Sequence, residues 1–145
     1  MKQNGFTFIE LLVTATIISI LAAIGVVSYG RANINSRDAK RKSDLEQIRA
    51  ALETYKADNG YYPDPGSSSY VDTATGLSVL VSNSYMPAIP ADPVSTQKYS
   101  YNPEAPNLGP APYYGYCLSA KLETTPVGSQ PCTVDAGHNY AVKNP

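Results

Sequence analysis

The sequence predicts an α+β fold in which a long N-terminal helix packs against a small antiparallel sheet of about three strands. Two observations support this class. The first is a run of apolar sequence at 6–30 followed by 31–58, a segment without proline or glycine, which together are typical of one long helix. The second is that most of the 12 prolines and most of the 12 tyrosines follow residue 60, where short alternating segments favour strands and loops.

The first half of the predicted helix is apolar enough to cross a membrane. As a helix, the run from Phe6 to Tyr29 would measure about 36 Å, which exceeds the roughly 30 Å of a bilayer's hydrocarbon core. A secretory signal peptide has a shorter apolar core with a cleavage site behind it. We therefore expect 6–30 to be a transmembrane helix that remains in the chain.

Small side chains recur every four residues within this segment, at Ala15, Ser19 and Ala23. Such a stripe lets two helices approach closely in an apolar environment. It predicts a helix-packing face, although ordinary membrane helices can have the same composition.

Glu10 is the one charged residue of the apolar run. Ionised side chains within membrane segments are costly, and they usually have a partner or a function. If the peptide bond after Gly5 were cleaved, the new α-amino group of Phe6 would lie about one turn from Glu10 and could also meet Glu10 of a neighbouring copy. At an effective dielectric near 20, two such charges about 4 Å apart attract by about 4 kcal/mol. The sequence thus predicts a processing site at Gly5 and Phe6, with the Phe6 amine as the partner of Glu10.

The stretch MKQNG/FTFIELLV resembles the type III signal of type IV pilins and type II secretion pseudopilins. It has a short leader with the basic Lys2, glycine before the cut, Phe6 after it, and Glu10 as the fifth residue of the processed chain. The resemblance implies that a prepilin peptidase removes residues 1–5 and methylates the amine of Phe6. It also implies that Glu10 neutralises this amine in a neighbouring subunit while a filament assembles.

Further along the chain, the order of four segments is similar to that in G-type pseudopilins: 55–63, 76–81, 86–93 and 98–103. The resemblance implies a pilin fold. It predicts a cleaved leader at 1–5, a transmembrane and filament-core helix at 6–30, an amphipathic helix at 31–59 and a loop-rich head at 60–145.

The second half of the helix has one apolar face, formed by Leu45, Ile48, Leu52 and Tyr55, and we expect this face to pack on the sheet. The preceding stretch 35–43 has a single apolar residue, which predicts a helix solvated on all sides with Asp38 and Lys42 as an i,i+4 pair. Charge contacts between subunits are the alternative for this stretch. The sequence Asp-Asn-Gly at 58–60, with prolines beyond, predicts the end of the helix.

Three strands are predicted, at 99–102, 113–122 and 139–143. The middle one should turn one set of alternating side chains to the helix: Tyr114, Tyr116, Leu118, Ala120 and Leu122. The segment 76–81 fits a strand or a short helix, and the resemblance favours the helix.

Cys117 and Cys132 are the two cysteines of the chain. They predict a disulfide, with two unrelated buried thiols as the alternative. A bridge closing about 15 residues contributes roughly 3 kcal/mol in the chain-entropy model, and it implies an oxidising compartment. The loop 123–138 that it would hold resembles in role the disulfide-bounded region of type IV pilins.

The sequence carries no catalytic, phosphate-binding or metal motif, so we expect neither an enzyme nor a resident cofactor. His138 should be a solvent-facing loop residue, and Asp64, Asp72, Asp92 and Asp135 should serve turns and helix caps. G-type pseudopilins carry a calcium-binding loop near their C-terminus. This chain has only 135–139 (DAGHN) in roughly that place, and one acid is too few for a site, so calcium is the minor alternative.

The function predicted on these grounds is a structural subunit of a type IV pilus-like filament. Its partners would be other copies or other pilins, the prepilin peptidase, and, by resemblance, an assembly ATPase and an inner-membrane platform protein. Secretion, DNA uptake, adhesion and motility are not separated by the sequence. The alternative is a monomeric membrane-anchored binding module whose tyrosine-rich head binds a ligand, for example by stacking on nucleic-acid bases.

The predicted location is the bacterial cell envelope. The subunit would be a single-pass cytoplasmic membrane protein with its head outside, and after assembly part of a filament at the cell surface. The basic residues Arg31, Arg37, Lys40, Arg41 and Lys42 follow the span, and positive-inside counting alone would place the head in the cytoplasm. The leader and the cysteine pair favour export instead.

Overall fold

The computed structural model describes residues 5–66, 70–104, 112–126 and 128–145. The chain divides into two compact units, Met1–Ser36 and Arg37–Pro145. Helix α1, Phe8–Asn59, begins in the first unit and ends in the second. The second unit, which we call the head unit, also contains two short helices and a four-stranded sheet.

In the N-terminal unit, every residue from Gly5 to Asn33 is exposed. Within the described residues, α1 is the one helix that is long and apolar enough to cross a membrane by length and composition. Three hydroxyl groups of this segment are satisfied inside the helix: Thr14, Thr16 and Ser19 donate to carbonyl oxygens three or four residues earlier, at 3.0, 2.7 and 2.8 Å. These donors need no water, which suits an apolar environment.

In the head unit, α1 buries the stripe that its periodicity predicts. Leu45, Ile48, Leu52 and Tyr55 all belong to the hydrophobic core, so this prediction is confirmed. The helix ends at Asn59, and Gly60 follows with φ of +85° while its N–H donates to the Lys56 carbonyl at 2.7 Å. A glycine in this left-handed conformation is a common way to end a helix.

The sheet is an antiparallel meander with strand order β1-β2-β3-β4. Its strands are β1 (Val71–Asp72), β2 (Ser100–Glu104), β3 (Gly115–Ala120) and β4 (Tyr140–Lys143). The last three are the predicted strands with shorter or shifted bounds. The structure agrees with the expected small antiparallel sheet and adds a fourth strand, β1. The sequence did not indicate β1, because two residues are too few to show an alternation. Two short helices, α2 (Thr73–Gly76) and α3 (Ser78–Ser82), follow β1, and the helical alternative for 76–81 is the right one.

The alternation along β3 is confirmed in part. Tyr116, Leu118 and Ala120 lie in the core with the α1 stripe, and Leu122 is buried as well. Tyr114 is 51% exposed, so its assignment to the buried face was wrong. The strand begins at Gly115, and the alternation therefore does not extend to Tyr114.

Tyrosines make up much of the core. Six of the described tyrosines are buried: Tyr55, Tyr62, Tyr99, Tyr101, Tyr113 and Tyr116. Three of their hydroxyls reach carboxylates on α1: Tyr62 and Tyr116 both donate to Glu53, at 2.9 and 3.0 Å, and Tyr99 donates to Asp44 at 2.7 Å. A buried hydroxyl needs such an acceptor, so each bond fixes a point of the helix against the sheet region.

A buried charge cluster overturns the prediction for 35–43. Asp38 and Arg41 are only 3% and 0% exposed, and Asp38 pairs with Arg41 at 2.7 Å rather than with Lys42. Asp92 and Glu123 bind the same guanidinium at 2.8 and 3.0 Å. We call these four residues the Arg41 cluster. The Lys42 ammonium instead lies 5.5 Å from the centre of the Tyr140 ring.

The predicted disulfide between Cys117 and Cys132 is present. Asn139, which directly precedes β4, accepts from the Leu122 N–H at 2.7 Å through its carboxamide and donates to the Leu122 carbonyl at 3.0 Å. Gln130, within the disulfide loop, accepts the backbone N–H of Ala141 on the outermost strand β4 at 2.8 Å. The loop is therefore attached to the sheet at several points.

The first prediction concerns acid pH. Burial alone would raise the pKa of Asp38, but hydrogen bonds from the backbone of Glu123, from Thr124 and from Arg41 lower this pKa to about 2, against an ordinary 3.8. A carboxylate with a depressed folded-state pKa stabilises the fold above its unfolded-state pKa, and this stabilisation is lost as the pH falls through the folded value. We expect the free energy of unfolding to decrease between about pH 4 and pH 2, with Asp38 contributing about 2 kcal/mol.

Chemical denaturation of the full chain in detergent, followed by the near-ultraviolet circular dichroism of the tyrosines, measures this dependence. Hydrogen bonds from Arg37 and Arg41 also lower the pKa of Glu123 to about 2, so part of the loss belongs to that residue. Asp38→Asn should be less stable at neutral pH and show a shallower acid limb. An identical acid limb in this variant would contradict the assignment to Asp38.

The second prediction concerns the disulfide. Replacing both Cys117 and Cys132 by alanine should lower the free energy of unfolding by about 3 kcal/mol, because the unfolded chain loses a closed loop of about 15 residues. The same denaturation measurement tests this. A reducing agent should destabilise the parent chain by a similar amount and leave the double variant unchanged. A response of the double variant to the reductant would show that the loss in the parent has another cause.

Candidate assembly site

The N-terminus of α1 is closed by two residues that bind each other. The Thr7 N–H and hydroxyl donate to Glu10 Oε2 at 2.8 and 2.7 Å, and the Glu10 N–H donates to Thr7 Oγ1 at 3.3 Å. This reciprocal arrangement is a capping box, in which two otherwise unpaired helix donors are satisfied. Sequence reasoning missed it, although the Thr-x-x-Glu spacing at 7–10 signals a helix start directly before the apolar run.

The capping box fixes where the Glu10 carboxylate lies. It sits in the first turn of α1, where the helix dipole favours a negative charge. Oε2 accepts both bonds from Thr7, and within the described residues Oε1 accepts none. One carboxylate oxygen is thus available to a second group while the other holds the helix end.

The structure brings Phe6 and Glu10 together. Both line one shallow depression on the surface of the N-terminal unit, together with Ile9, Val13 and Thr14. Phe6 is 81% exposed, and Gly5 before it has open space where a Cβ would stand. Packing within the chain therefore does not require glycine at position 5.

The predicted helix-packing residues Ala15, Ser19 and Ala23 are exposed along α1. The Ser19 hydroxyl is bonded to the Ala15 carbonyl, so this face offers no unsatisfied hydroxyl at Ser19. Packing of this face against a second helix stays a prediction.

His138 was predicted to face solvent, and this prediction is wrong. It is half-buried, and its Nδ1 lies 2.8 Å from the hydroxyl of Ser119, a residue that is fully buried. Burial lowers the pKa of His138. Because the Ser119 hydroxyl is inaccessible, it cannot attack an external substrate, and the pair serves packing.

The four loop aspartates serve turns and caps, as predicted. Asp64, Asp72 and Asp92 accept backbone N–H groups two residues later, at 2.8, 2.9 and 2.7 Å. Asp135 accepts the Ala136 N–H at 2.7 Å and also the Ser100 hydroxyl. Asp92 has a second role in the Arg41 cluster that the sequence did not indicate.

The segment 135–139 offers a calcium ion one carboxylate side chain, that of Asp135. Both carboxylate oxygens of Asp135 already accept hydrogen bonds, and the nearby His138 is bonded to Ser119. Among the residues that the structure describes, no group of three or more His, Cys, Asp and Glu side chains is placed to hold a metal ion. Calcium requires six to eight oxygen ligands.

Comparison with known proteins gives two family matches. Residues 1–26 match the prokaryotic N-terminal methylation motif, and residues 28–112 match type II secretion system protein G. The chain is 34% identical over 108 residues to the type II secretion system core protein G of Escherichia coli (strain K12), covering 70% of this chain and 74% of that protein. It is 34% identical over 97 residues to the protein of the same name from Pseudomonas aeruginosa, covering 63% and 68%. No solved structure matches.

The third prediction concerns the capping box. Thr7→Val keeps the side-chain size but removes the hydroxyl, so the Glu10 N–H loses its acceptor at a cost of about 1 kcal/mol. Amide hydrogen exchange at Glu10 should become about fivefold faster in detergent micelles. Thr14→Val is the matched control, because the Thr14 hydroxyl donates to a carbonyl of its own helix and caps nothing. Equal exchange at Glu10 in the two variants would contradict a capping role for Thr7.

Proposed function

Because the chain belongs to the protein G family of the type II secretion system, we propose that it is the polymerising subunit of a secretion filament, joined through its N-terminal helices. The family is one of structural pseudopilins, and the chain is not an enzyme. The observation that carries the proposal is the N-terminal unit, which exposes a continuous apolar surface and one carboxylate at the start of its helix.

The apolar surface of the N-terminal unit must be covered by an apolar environment both before and after assembly. Burying a large apolar side chain is worth about 1.5–3 kcal/mol, and this unit exposes many of them, among them Phe8, Leu11, Ile18, Leu21 and Ile24. Lipid covers them before assembly, and neighbouring helices cover them in the filament. The stripe of small residues described above provides a face on which helices approach closely.

Glu10 provides the register of assembly. Cleavage after Gly5 gives Phe6 a cationic α-amino group, which methylation leaves charged. In the filament, this amine lies against Glu10 of a neighbouring subunit, on the carboxylate oxygen that Thr7 does not use. An ion pair in low dielectric is strong only when both charges are well placed, so it selects one axial position of the helices.

Processing precedes assembly. The match to the N-terminal methylation motif covers Gly5 and Phe6 and supports cleavage and methylation by a prepilin peptidase. Packing within the chain does not demand Gly5, so its role lies in recognition by that enzyme. An assembly ATPase and a membrane platform protein, which the family resemblance implies, then extract the subunit from the membrane.

The subunit resides in the cell envelope, with its apolar helix as a membrane anchor before assembly. The relatives' name, type II secretion system core protein G, favours secretion over DNA uptake, adhesion or motility. The competing binding module has less support, because six tyrosines are buried in the core and, within the described part of the head unit, only Tyr61 and Tyr114 are exposed.

The fourth prediction separates the charge of Glu10 from its capping role. Glutamine also completes a capping box, so Glu10→Gln keeps the helix start but removes the anion. We expect the variant to be cleaved and to remain in the membrane, while sheared filaments fall at least tenfold. Intact mass and N-terminal sequencing of the membrane and sheared fractions measure both quantities.

Glu46→Gln is the control, because Glu46 is a carboxylate on the same helix that pairs with Arg49 on the surface of the head unit. It should form filaments like the parent. The proposal fails if the parent chain still begins at Met1, or if Glu10→Gln yields as many filaments as Glu46→Gln. Either result would favour the anchored binding module.

A further inference from the structure

Arg41 is a fully buried cation of the head unit, and carboxylates surround it. Its Nη1 donates to Asp38 at 2.7 Å and to Glu123 at 3.0 Å, and its Nε and Nη2 donate to the two oxygens of Asp92 at 2.8 and 3.0 Å. Arg37 binds Glu123 from the solvent side. All three carboxylates thus converge on one guanidinium, and a second cation partly compensates their charge.

The cluster joins three segments that are distant in the chain. Asp38 and Arg41 belong to α1, Asp92 lies 51 residues after Arg41 in the loop before β2, and Glu123 lies 82 residues after it, just beyond β3. Asp38 strengthens the connection between α1 and the segment at Glu123, because it also accepts the backbone N–H groups of Glu123 and Thr124, both at 2.9 Å. The ion pairs therefore act as a cross-link in the head unit.

Carboxylates that converge on one centre can bind calcium, which takes six to eight oxygen ligands. Here the centre is occupied by a side chain of the protein itself. A guanidinium stays charged at all working pH values and cannot dissociate from the chain. The segment 135–139, for which the resemblance raised the possibility of calcium, offers no comparable set among the described residues, because Asp135 is its one carboxylate and both oxygens of Asp135 are engaged.

We propose that Arg41 is the resident cation of this head, and that its ion pairs supply the cross-link that the family resemblance would assign to calcium. The C-terminal loop 123–138 is then held at its first residue by the Arg41 cluster and further on by the Cys117–Cys132 disulfide. The head folds without a divalent cation. This inference concerns folding and does not depend on whether the chain forms filaments.

The parent chain gives the first test. The full chain in detergent is heated in a chelator and in millimolar calcium chloride, and the unfolding midpoint is read from the tyrosine near-ultraviolet circular dichroism. A ligand that binds only the folded state raises the midpoint by mass action. We expect the same midpoint in both solutions. A higher midpoint in calcium, or a lower one in chelator, would overturn the proposal.

Two arginine variants give the second test. Arg41→Ala leaves three carboxylates without their cation, and the midpoint should fall by roughly 10 °C or more. Arg49→Ala is the matched control on the same helix, because Arg49 pairs with Glu46 at 3.3 Å on the surface, and its midpoint should hardly change. Equal midpoints for the two variants would show that Arg41 is not the cross-link.

The same variant tests the comparison with calcium. The three carboxylates are distributed over three nitrogen atoms of the guanidinium, and among the described residues they are not placed to hold a metal ion. Calcium should therefore leave the midpoint of the folded Arg41→Ala variant unchanged. A midpoint that calcium restores to the parent value would overturn the assignment of Arg41 as the cation that this site requires. If Arg41→Ala does not fold, Glu123→Gln tests whether the cluster cross-links the head. This variant should lower the unfolding midpoint more than Glu46→Gln does. An equal effect of the two variants would overturn the proposal.

Discussion

The ion pairs of Arg41 are the interaction on which the head unit depends. Burying a guanidinium costs several kcal/mol in lost hydration, and only well-placed carboxylates offset this cost. The chain supplies them from three segments, so the cluster forms only when α1, the loop before β2 and the end of β3 have all reached their native positions. Hydrophobic burial drives these segments together. The ion pairs form in only one arrangement of the three segments, so they favour that arrangement over other compact ones.

The tyrosine hydroxyls further along α1 also require specific partners, and so they too fix the position of the helix. Asp44 and Glu53 accept hydrogen bonds from tyrosines of the sheet region, at points about two and a half turns apart on the helix. A core of leucines would bury apolar area as well, but it would hold the helix only through the fit of its side chains. Phenols that must reach specific carboxylates remove that freedom, because an unpaired buried hydroxyl or carboxylate is costly. This explains why a small head without tryptophan uses so many tyrosines.

Local periodicity predicted much of this architecture. The spacing of Leu45, Ile48, Leu52 and Tyr55 was enough to identify the buried stripe, and the alternation along β3 identified most of its inner face. The capping box at 7–10 was equally visible in four consecutive residues, although it was overlooked. By contrast, the burial of Arg41 could not be predicted in this way, because its surroundings in the sequence are almost entirely polar and two of its carboxylates are 51 and 82 residues away. Long-range pairing of polar groups leaves no periodic signal in the chain.

The bond from the Ala141 N–H to Gln130 has a consequence for many copies held side by side. An outer strand with free backbone groups is a template on which another chain can add a strand, and crowding favours such additions. On β4, a side chain of the disulfide loop already occupies this donor, and the opposite edge, β1, is only two residues long. One border of the sheet is therefore partly blocked and the other is short, and both features disfavour strand addition. Copies of the head unit can therefore be crowded together with less tendency to aggregate through their sheets.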